Sequence, residues 1–183
     1  MHRDISHSNV MYRTLQDRKV VGVLNDFDLA SVVSEENTKI LTSTRHIGTK
    51  PFMAIDLLSD EPVTHLYRHD LESLLWVMVW HVHRYDDGEF RGDQARFEDW
   101  TRASTSELAM FKRVYVCEGK FDASKAYQAF KPLVFKMRVA FRTGIELKSD
   151  WEQFGGVEID NSTLGGNVTF DVFEDLFVRH RPV

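Results

Sequence analysis

The chain has 183 residues, of which 43% are hydrophobic and 28% are charged, and its formal net charge is −5. This length supports one domain with a hydrophobic core, and the composition is ordinary for a globular protein. The acidic balance provides no basic field, so we expect neither nucleic acid nor an anionic membrane as a partner.

The amino-terminal residues are charged, and no apolar run reaches the length of about 20 residues that a transmembrane helix needs. We therefore expect neither a secretory signal nor a membrane span. Cys117 is the only cysteine, so an intrachain disulfide is impossible. This cysteine usage is typical of a reducing compartment, and we expect an intracellular protein of the cytoplasm or the nucleus.

The segment from His2 to Asp28 carries the strongest chemical signal. Asp4, within His2-Arg3-Asp4, is followed five positions later by Asn9 (9 − 4 = 5), and Asp26-Phe27-Asp28 comes after two short apolar runs. This order and spacing resemble the catalytic loop and the metal-binding turn of protein kinases. The resemblance makes residues 2–9 the catalytic loop and residues 26–28 the metal-binding turn.

This resemblance implies phosphoryl transfer from ATP, which requires a positioned hydroxyl and cations that neutralise the moving phosphoryl group. Asp4 would be the catalytic carboxylate beside the acceptor hydroxyl. Asn9 and Asp26 would bind Mg²⁺, a hard cation that prefers oxygen ligands, and would hold ATP through it. The alternative is a polar turn, a pair of strands and a second turn with incidental carboxylates.

Two short runs rich in β-branched residues lie between these motifs. Val10-Met11-Tyr12 and the run from Val20 to Leu24 flank a polar link at residues 15–18. Such a pattern predicts a β-hairpin. In the kinase interpretation this hairpin fixes the distance between Asn9 and Asp26.

Two positions depart from the usual kinase pattern. Asp28 replaces a glycine, and because glycine is the most permissive residue for unusual backbone angles, we expect a more restricted turn. Ser6 stands where Ser/Thr kinases carry a lysine close to the transferred phosphate. A hydroxyl cannot supply that positive charge, so part of the transition-state stabilisation must come from elsewhere.

Residues 48–56, Gly48 to Asp56, resemble the end of a kinase activation segment, which would span residues 26–56, with Ile55-Asp56 in place of Pro-Glu. Arg3 would receive the phosphate if Thr49 or an upstream hydroxyl were phosphorylated, since Arg binds phosphate bidentately. The alternative is a solvated loop that is rich in Ser and Thr. The upstream candidates are Thr42, Ser43 and Thr44.

Residues 70–82 form the most apolar helix candidate. Apolar residues recur at helical spacing from Leu71 to Val82, and Trp76, Val77 and Trp80 occupy the other side. A helix that is apolar nearly all round is buried. In kinases the aspartate in the first turn of such a helix hydrogen-bonds the catalytic-loop backbone, and Asp70 matches it.

Together these motifs resemble the fungal-type protein kinase family over residues 2–82. The family carries catalytic roles over to Asp4, Asn9 and Asp26, and structural roles to His2, Arg3, Phe27 and Asp70. It implies a mainly α fold within an α+β family, a C-terminal lobe with a small β-hairpin. The Gly-rich loop, strand lysine and helix glutamate of an N-terminal lobe do not precede His2, so residues 1–183 are expected to form a single partial domain.

The chain after residue 82 shows no chemical motif. Apolar residues between Phe97 and Tyr115 suggest helices, and residues 123–147 suggest a helix that Pro132 kinks or divides. Residues 86–94 are expected to form a loop. Phe170, Phe173, Leu176 and Phe177 suggest a final amphipathic helix.

The function implied by the resemblance is transfer of the ATP γ-phosphoryl group to a protein Ser or Thr hydroxyl, with a protein as substrate. We expect this chain by itself to be inactive or nearly so, and to expose apolar surface where the other lobe would lie. One alternative is a pseudokinase-like interaction module without catalysis. A second is a small-molecule phosphotransferase of the kinase-like fold, which the segment from Gly48 to Asp56 disfavours. The oligomeric state stays open.

Overall fold

The computed structural model describes residues 1–32 and 48–180 of the chain. Its secondary structure is mainly helical with two small antiparallel hairpins, which confirms the mainly α prediction. The strands are β1 (Val10–Thr14), β2 (Val20–Leu24), β3 (Tyr85–Asp86) and β4 (Glu89–Phe90). The α-helices are α1 (Tyr67–Arg84), α2 (Asp99–Arg102), α3 (Thr105–Glu118), α4 (Lys131–Phe154) and α5 (Phe170–His180). Short 3₁₀ turns cover Lys50–Phe52, Ile55–Leu58, Gly92–Gln94 and Lys125–Phe130.

The predicted hairpin is present as β1 and β2, with Val10 opposite Leu24 and Thr14 opposite Val20. The turn closes where the backbone N–H of Leu15 donates to Lys19 O at 2.8 Å. Both strands leave most of their side chains exposed, including Tyr12 at 75%. The hairpin therefore stands on the surface and is held mainly by its own ladder.

The predicted buried helix is α1, and it begins three residues earlier than the apolar pattern indicates and ends two residues later. At its start, the backbone N–H of Leu66 donates to Nδ1 of His69 at 3.0 Å. A polar contact of this kind satisfies a group at the helix terminus but leaves no trace in apolar periodicity. Trp76 and Leu75 are fully buried, so α1 is the centre of the core.

Helix α4 packs against α1, α3 and α5, and Trp76 of α1 meets Tyr115 of α3 edge-on. The sequence predicts the regions of α3, α4 and α5, and the region at 123–147 is divided next to Pro132 as expected: a 3₁₀ turn covers Lys125–Phe130, and α4 starts at Lys131 with Pro132 in its first turn. The predicted loop at residues 86–94 contains β4 and a 3₁₀ turn, which is a correction. α5 has the range predicted for the final helix, and Phe173 is its buried residue.

A close approach between α4 and the segment after it completes the core. Gly144 lies in the middle of α4, and a Cβ there would meet the Cβ of Leu164 at 2.5 Å. Leu164 is buried, so the absence of a side chain at Gly144 allows the segment at residues 160–168 to pack directly on the helix. Within the two described ranges, no helix is long and apolar enough to cross a membrane.

Candidate active site

The predicted catalytic loop is attached to the start of α1 by Asp70. Its carboxylate accepts the backbone N–H of His2 at 2.7 Å and that of Arg3 at 3.0 Å. Nε2 of His65 lies 3.1 Å from the same carboxylate. Burial alone would raise the pKa of Asp70, but His65 and the two backbone donors lower it below its ordinary value. Asp70 is therefore a buried carboxylate that makes the hydrogen bonds expected for it.

These hydrogen bonds hold an unusual backbone at Arg3, whose φ is +74°. A non-glycine residue in this left-handed region costs on the order of 1–3 kcal/mol, and the surrounding contacts must compensate for it. Asp70 supplies two of them, through the consecutive backbone N–H groups of His2 and Arg3 that lead into this residue.

Asp4 has its carboxylate fixed from two directions. Nδ2 of Asn9 donates to Oδ2 of Asp4 at 3.2 Å and to the Asp4 carbonyl at 3.0 Å. From the other side, the backbone N–H and the hydroxyl of Thr49 both donate to Oδ1, at 2.7 and 2.8 Å. The structure thus brings together three residues that the sequence separates by up to 45 positions (49 − 4 = 45).

Asp26 lies at the opposite end of the hairpin from its turn. The backbone N–H of Asn25 donates to Asn9 O at 2.9 Å, which extends the β1–β2 ladder by one bond. Asp26 follows directly, with φ at +62° and an exposed side chain. The hairpin therefore brings the backbone at Asn9 beside the residue before Asp26, as the kinase interpretation requires.

The side chains of His2 and Phe27 contact each other beside this turn. Nε2 of His2 lies 3.0 Å from the carbonyl of Asn25, so the ring carries its proton on this nitrogen and donates. The ring of Phe27 meets that of His2 edge-on, with centroids 4.8 Å apart. The side chain of His2 thereby links the catalytic loop to the metal-binding turn.

The oxygen atoms around this turn fit Mg²⁺. Nδ2 of Asn9 is committed to Asp4, so its Oδ1 remains as an oxygen donor, and the carboxylate of Asp26 is exposed. No group of three or more His, Cys, Asp and Glu side chains in the described part of the chain could hold a metal. A site at Asn9 and Asp26 would therefore need water and phosphate oxygens as further ligands, which is how proteins commonly bind Mg²⁺.

Ser6 and Asp28 are placed differently from their counterparts in the kinase pattern. Ser6 is fully buried, its Oγ lies 3.0 Å from Oγ of Ser8, and its carbonyl accepts the backbone N–H of Asn9. It therefore shapes the loop from inside. At the metal-binding turn, the left-handed residue is Asp26, whereas the φ of Asp28 is not positive. Asp28 thus occupies its position without the strain that a missing glycine would imply.

The end of the predicted activation segment packs against the core. Phe52, Met53, Ala54 and Ile55 are buried. Gly48 has φ at +119°, and a Cβ there would lie 3.2 Å from the carbonyl of Arg3. A glycine is required for this close approach, which brings Thr49 onto Asp4. The candidate phosphorylation sites Thr42, Ser43 and Thr44 lie outside the described residues.

Asp56, which replaces a glutamate in the kinase pattern, makes a network that its sequence position does not reveal. Its Oδ2 lies 2.6 Å from Arg68 and 3.0 Å from Lys148. Burial would raise the pKa of Asp56, but these two cations hold it well below its usual range. Arg68 also donates to the carbonyl of Asn161 at 2.7 Å. The contacts span up to 93 positions, so no local spacing could have identified them.

A largely apolar cavity and exposed apolar side chains lie near the predicted catalytic loop. A cavity of about 650 Å³ lies between the catalytic loop, the hairpin end, α1 and α5, with Ile5, Leu74 and Phe177 among its apolar walls. Beyond it, the hairpin exposes Tyr12 and Val20, the latter at 60%.

Comparison with known proteins agrees with the motif assignment over the same part of the chain. The family model described as "Fungal protein kinase" matches residues 1–82, slightly less than half of the 183 residues. This match confirms the resemblance and supports a kinase-type function at a coarse level. No curated protein and no solved structure matches the chain.

Proposed function

We propose that the chain is the C-terminal lobe of a protein kinase that transfers the γ-phosphoryl group of ATP to a Ser or Thr hydroxyl of a protein. Asp4 orients the acceptor hydroxyl and accepts its proton. Asn9 and Asp26 bind Mg²⁺ through side-chain oxygens. The metal ion, when bound, neutralises charge on the transferred phosphoryl group.

The observation that carries this proposal is the setting of the Asp4 carboxylate. Asn9 holds one of its oxygens at 3.2 Å, and Thr49 holds the other at 2.7 Å through its backbone N–H. A general base must lie within hydrogen-bond reach of the proton that it accepts before its pKa matters. These contacts fix the carboxylate of Asp4, which is half-buried. The contact with Thr49 also places residues 48–56 beside the catalytic carboxylate, which favours a protein over a small molecule as acceptor.

Thr49 serves in this proposal as a positioning residue. Its hydroxyl already donates to Oδ1 of Asp4 at 2.8 Å. A phosphate on that hydroxyl would lie against a carboxylate, and like charges at this distance repel. Arg3, whose Nε is buried without a hydrogen-bond partner, keeps a free donor that faces away from solvent. A phosphate for Arg3 would therefore come from a hydroxyl other than that of Thr49.

The metal-binding part of the proposal is tested with Mn²⁺ as a paramagnetic substitute for Mg²⁺. In the presence of ATP, Mn²⁺ should broaden the NMR signals of Asn9 and residues 25–28 of the purified chain. The Asp26→Asn variant should lose this broadening, because one carboxylate ligand is removed. Asp60→Asn, an exposed acid outside the site, is the matched control and should behave like the wild type.

The catalytic part is tested by fusing the chain behind a kinase N-terminal lobe that carries the Gly-rich loop, the lysine and the glutamate. Transfer of labelled phosphate to Ser or Thr of a protein substrate should appear in the fusion and be nearly absent from the chain alone. Asp4→Asn should lower this rate by about 10²–10⁴-fold, the range for loss of a general base. Equal rates for the fusion and its Asp4→Asn variant would refute the assignment.

One observation favours the pseudokinase-like module as a second candidate. Ser6 is fully buried and directed to Ser8, so the position that carries a phosphate-contacting lysine in typical kinases contributes no charge here. A module of this kind would bind a partner protein and would show no Mn²⁺–ATP broadening and no transfer in the fusion. The two experiments therefore distinguish the candidates.

A further inference from the structure

A buried glutamate of α1 accepts a backbone hydrogen bond from the end of the predicted activation segment, residues 48–56. Oε1 of Glu72 accepts the backbone N–H of Ile55 at 2.8 Å and the indole N–H of Trp76 at 3.0 Å. Glu72 is 2% exposed. A carboxylate can be kept in such a place only if its charge is met by hydrogen bonds and by a cation.

The cation comes from α3, opposite the glutamate. Nζ of Lys112 donates to the carbonyl of Met53, two residues before Ile55, and the side chain is 0% exposed. The ammonium also lies over the rings of Trp76 and Trp100, at 4.8 and 5.6 Å from their centroids. The positive charge is therefore held by one carbonyl and two aromatic faces, away from bulk solvent.

We propose that Glu72 and Lys112 are positioning residues that fix residues 53–55 from two sides and thereby set the position of Thr49 against Asp4. We call this pair the 53–55 anchor. The 3₁₀ turn Lys50–Phe52 comes directly before the anchored residues. Within it, the backbone N–H of Phe52 donates to the carbonyl of Thr49 at 2.8 Å. If the backbone moves at Met53, this short turn moves with it, and so does Thr49, which contacts Asp4.

The directions of these hydrogen bonds explain why two ions are buried here, although apolar residues could be buried at a lower cost in free energy. Replacing a buried ion pair with apolar residues is often neutral or stabilising, so the anchor is a poor source of stability. What the ions supply is direction, because the Glu72 carboxylate accepts the N–H of Ile55 beside that of Trp76, and the Lys112 ammonium donates to the carbonyl of Met53. An apolar pair would bury the same segment without fixing its rotation.

The part of this inference that concerns Asp4 rests on the proposed function, whereas the anchoring itself does not. Amide hydrogen exchange measures the anchoring directly and needs neither ATP nor a substrate. If phosphoryl transfer fails while the exchange results hold, the anchor stands and the kinase assignment falls. The reverse outcome would remove the anchor alone.

The decisive variant is the double substitution Glu72→Gln with Lys112→Met. Glutamine keeps an oxygen that can accept the N–H of Ile55 and the indole, and methionine keeps the length of the lysine stem, but both charges and the donor to Met53 are lost. We expect the urea midpoint to remain close to wild type. The backbone N–H of Thr49 and that of Met53 should nevertheless exchange at least tenfold faster.

Single variants and a matched control complete the design. Lys112→Met alone should lower the urea midpoint strongly, because Glu72 is then left without its buried cation. Arg113→Met removes the neighbouring, exposed cation of the same helix and should change neither the midpoint nor the exchange at Thr49. Wild-type exchange at both Thr49 and Met53 in a folded double variant would overturn the proposal.

A measurement on the wild type keeps the proposal testable if the double variant does not fold. Burial lowers the pKa of Lys112 to about 7, against the opposing charge of Glu72, so the ammonium loses its proton as the pH rises past neutrality. Asp56 and Arg68 also act on Glu72, with opposite signs. Protection of the Thr49 amide, corrected for the intrinsic rate, should fall between pH 6 and about 8.5 while that of α1 is unchanged. Constant protection at Thr49 would overturn the proposal.

Discussion

At the scale of single residues, the site depends on carboxylates whose partners are backbone groups. Asp70 fixes the strained peptide at Arg3, and Asp4 is fixed in turn by Asn9 and Thr49. The sequence identifies Asp4 and Asn9 through their spacing in the kinase pattern, and Asp70 as the acid in the first turn of the most apolar helix candidate. It does not identify Glu72 and Lys112, because a buried ion is indistinguishable from a surface ion in a single sequence.

The role of Asp70 predicts a measurable loss of stability. In Asp70→Asn, one oxygen remains to accept from His2 or Arg3, so one buried backbone N–H loses its partner. An unsatisfied buried donor costs about 1–3 kcal/mol, and we expect the free energy of unfolding in urea to fall by this amount. Asp171→Asn, an exposed acid in the first turn of α5, is the matched control and should have little effect. An equal loss in both variants would show that only helix-terminal charge matters.

At the scale of secondary structure, the sequence predicts elements that repeat a residue pattern, but it does not predict elements too short to show one. The β1–β2 hairpin follows from two short β-branched runs around a polar link, and helix α1 follows from apolar residues at helical spacing. The short β3–β4 hairpin has only two residues in each strand, so no alternation could establish it. Pro132 illustrates the remaining ambiguity, since proline both breaks a helix and favours its first turn, and here it begins α4.

The packing of α4 predicts that a normally stabilising substitution is harmful. Gly→Ala in a helix interior usually adds about 1 kcal/mol of stability. In Gly144→Ala, however, the new Cβ would lie 2.5 Å from Cβ of Leu164, which is 1% exposed and cannot move aside freely. We expect the free energy of unfolding to fall by about 1–3 kcal/mol, the cost of overpacking. Ser149→Ala, on the exposed side of the same helix, should be neutral or slightly stabilising.

At the scale of the whole molecule, buried and half-buried histidines connect separate parts of the fold. His83 donates from Nδ1 to the carbonyl of Val79 and accepts the backbone N–H of Asp122 on Nε2. His7 and His81 meet through ring nitrogens 3.1 Å apart, which joins the catalytic loop to the end of α1. Each of these contacts needs at least one ring nitrogen without a proton.

These histidines predict that stability falls in mild acid. Burial lowers the pKa of His7, His69, His81 and His83 below the ordinary value of 6.5. The unfolded chain therefore binds more protons below pH 6.5, so stability rises with pH through this window and is lost as the pH falls. The raised pKa of Glu72 makes stability fall as the pH rises, but this is one group against four histidines.

Urea denaturation at pH 7.5, 6.5 and 5.5 checks this expectation. The free energy of unfolding should be highest at pH 7.5 and lowest at pH 5.5. His83→Gln should reduce the difference between these two values, because one of the titrating groups is removed. A free energy of unfolding that is constant or increases towards pH 5.5 would contradict the prediction.

The exposed β1–β2 hairpin has a consequence for the behaviour of the chain in solution. Within the described residues the sheet has only two strands, so each strand presents an outer edge of backbone groups without a partner strand. Together with the outward side chain of Tyr12, these edges are a template on which a strand of another molecule can add. Concentrated preparations should therefore aggregate through this hairpin, and a protein that covers it would act as a solubilising chaperone for the chain.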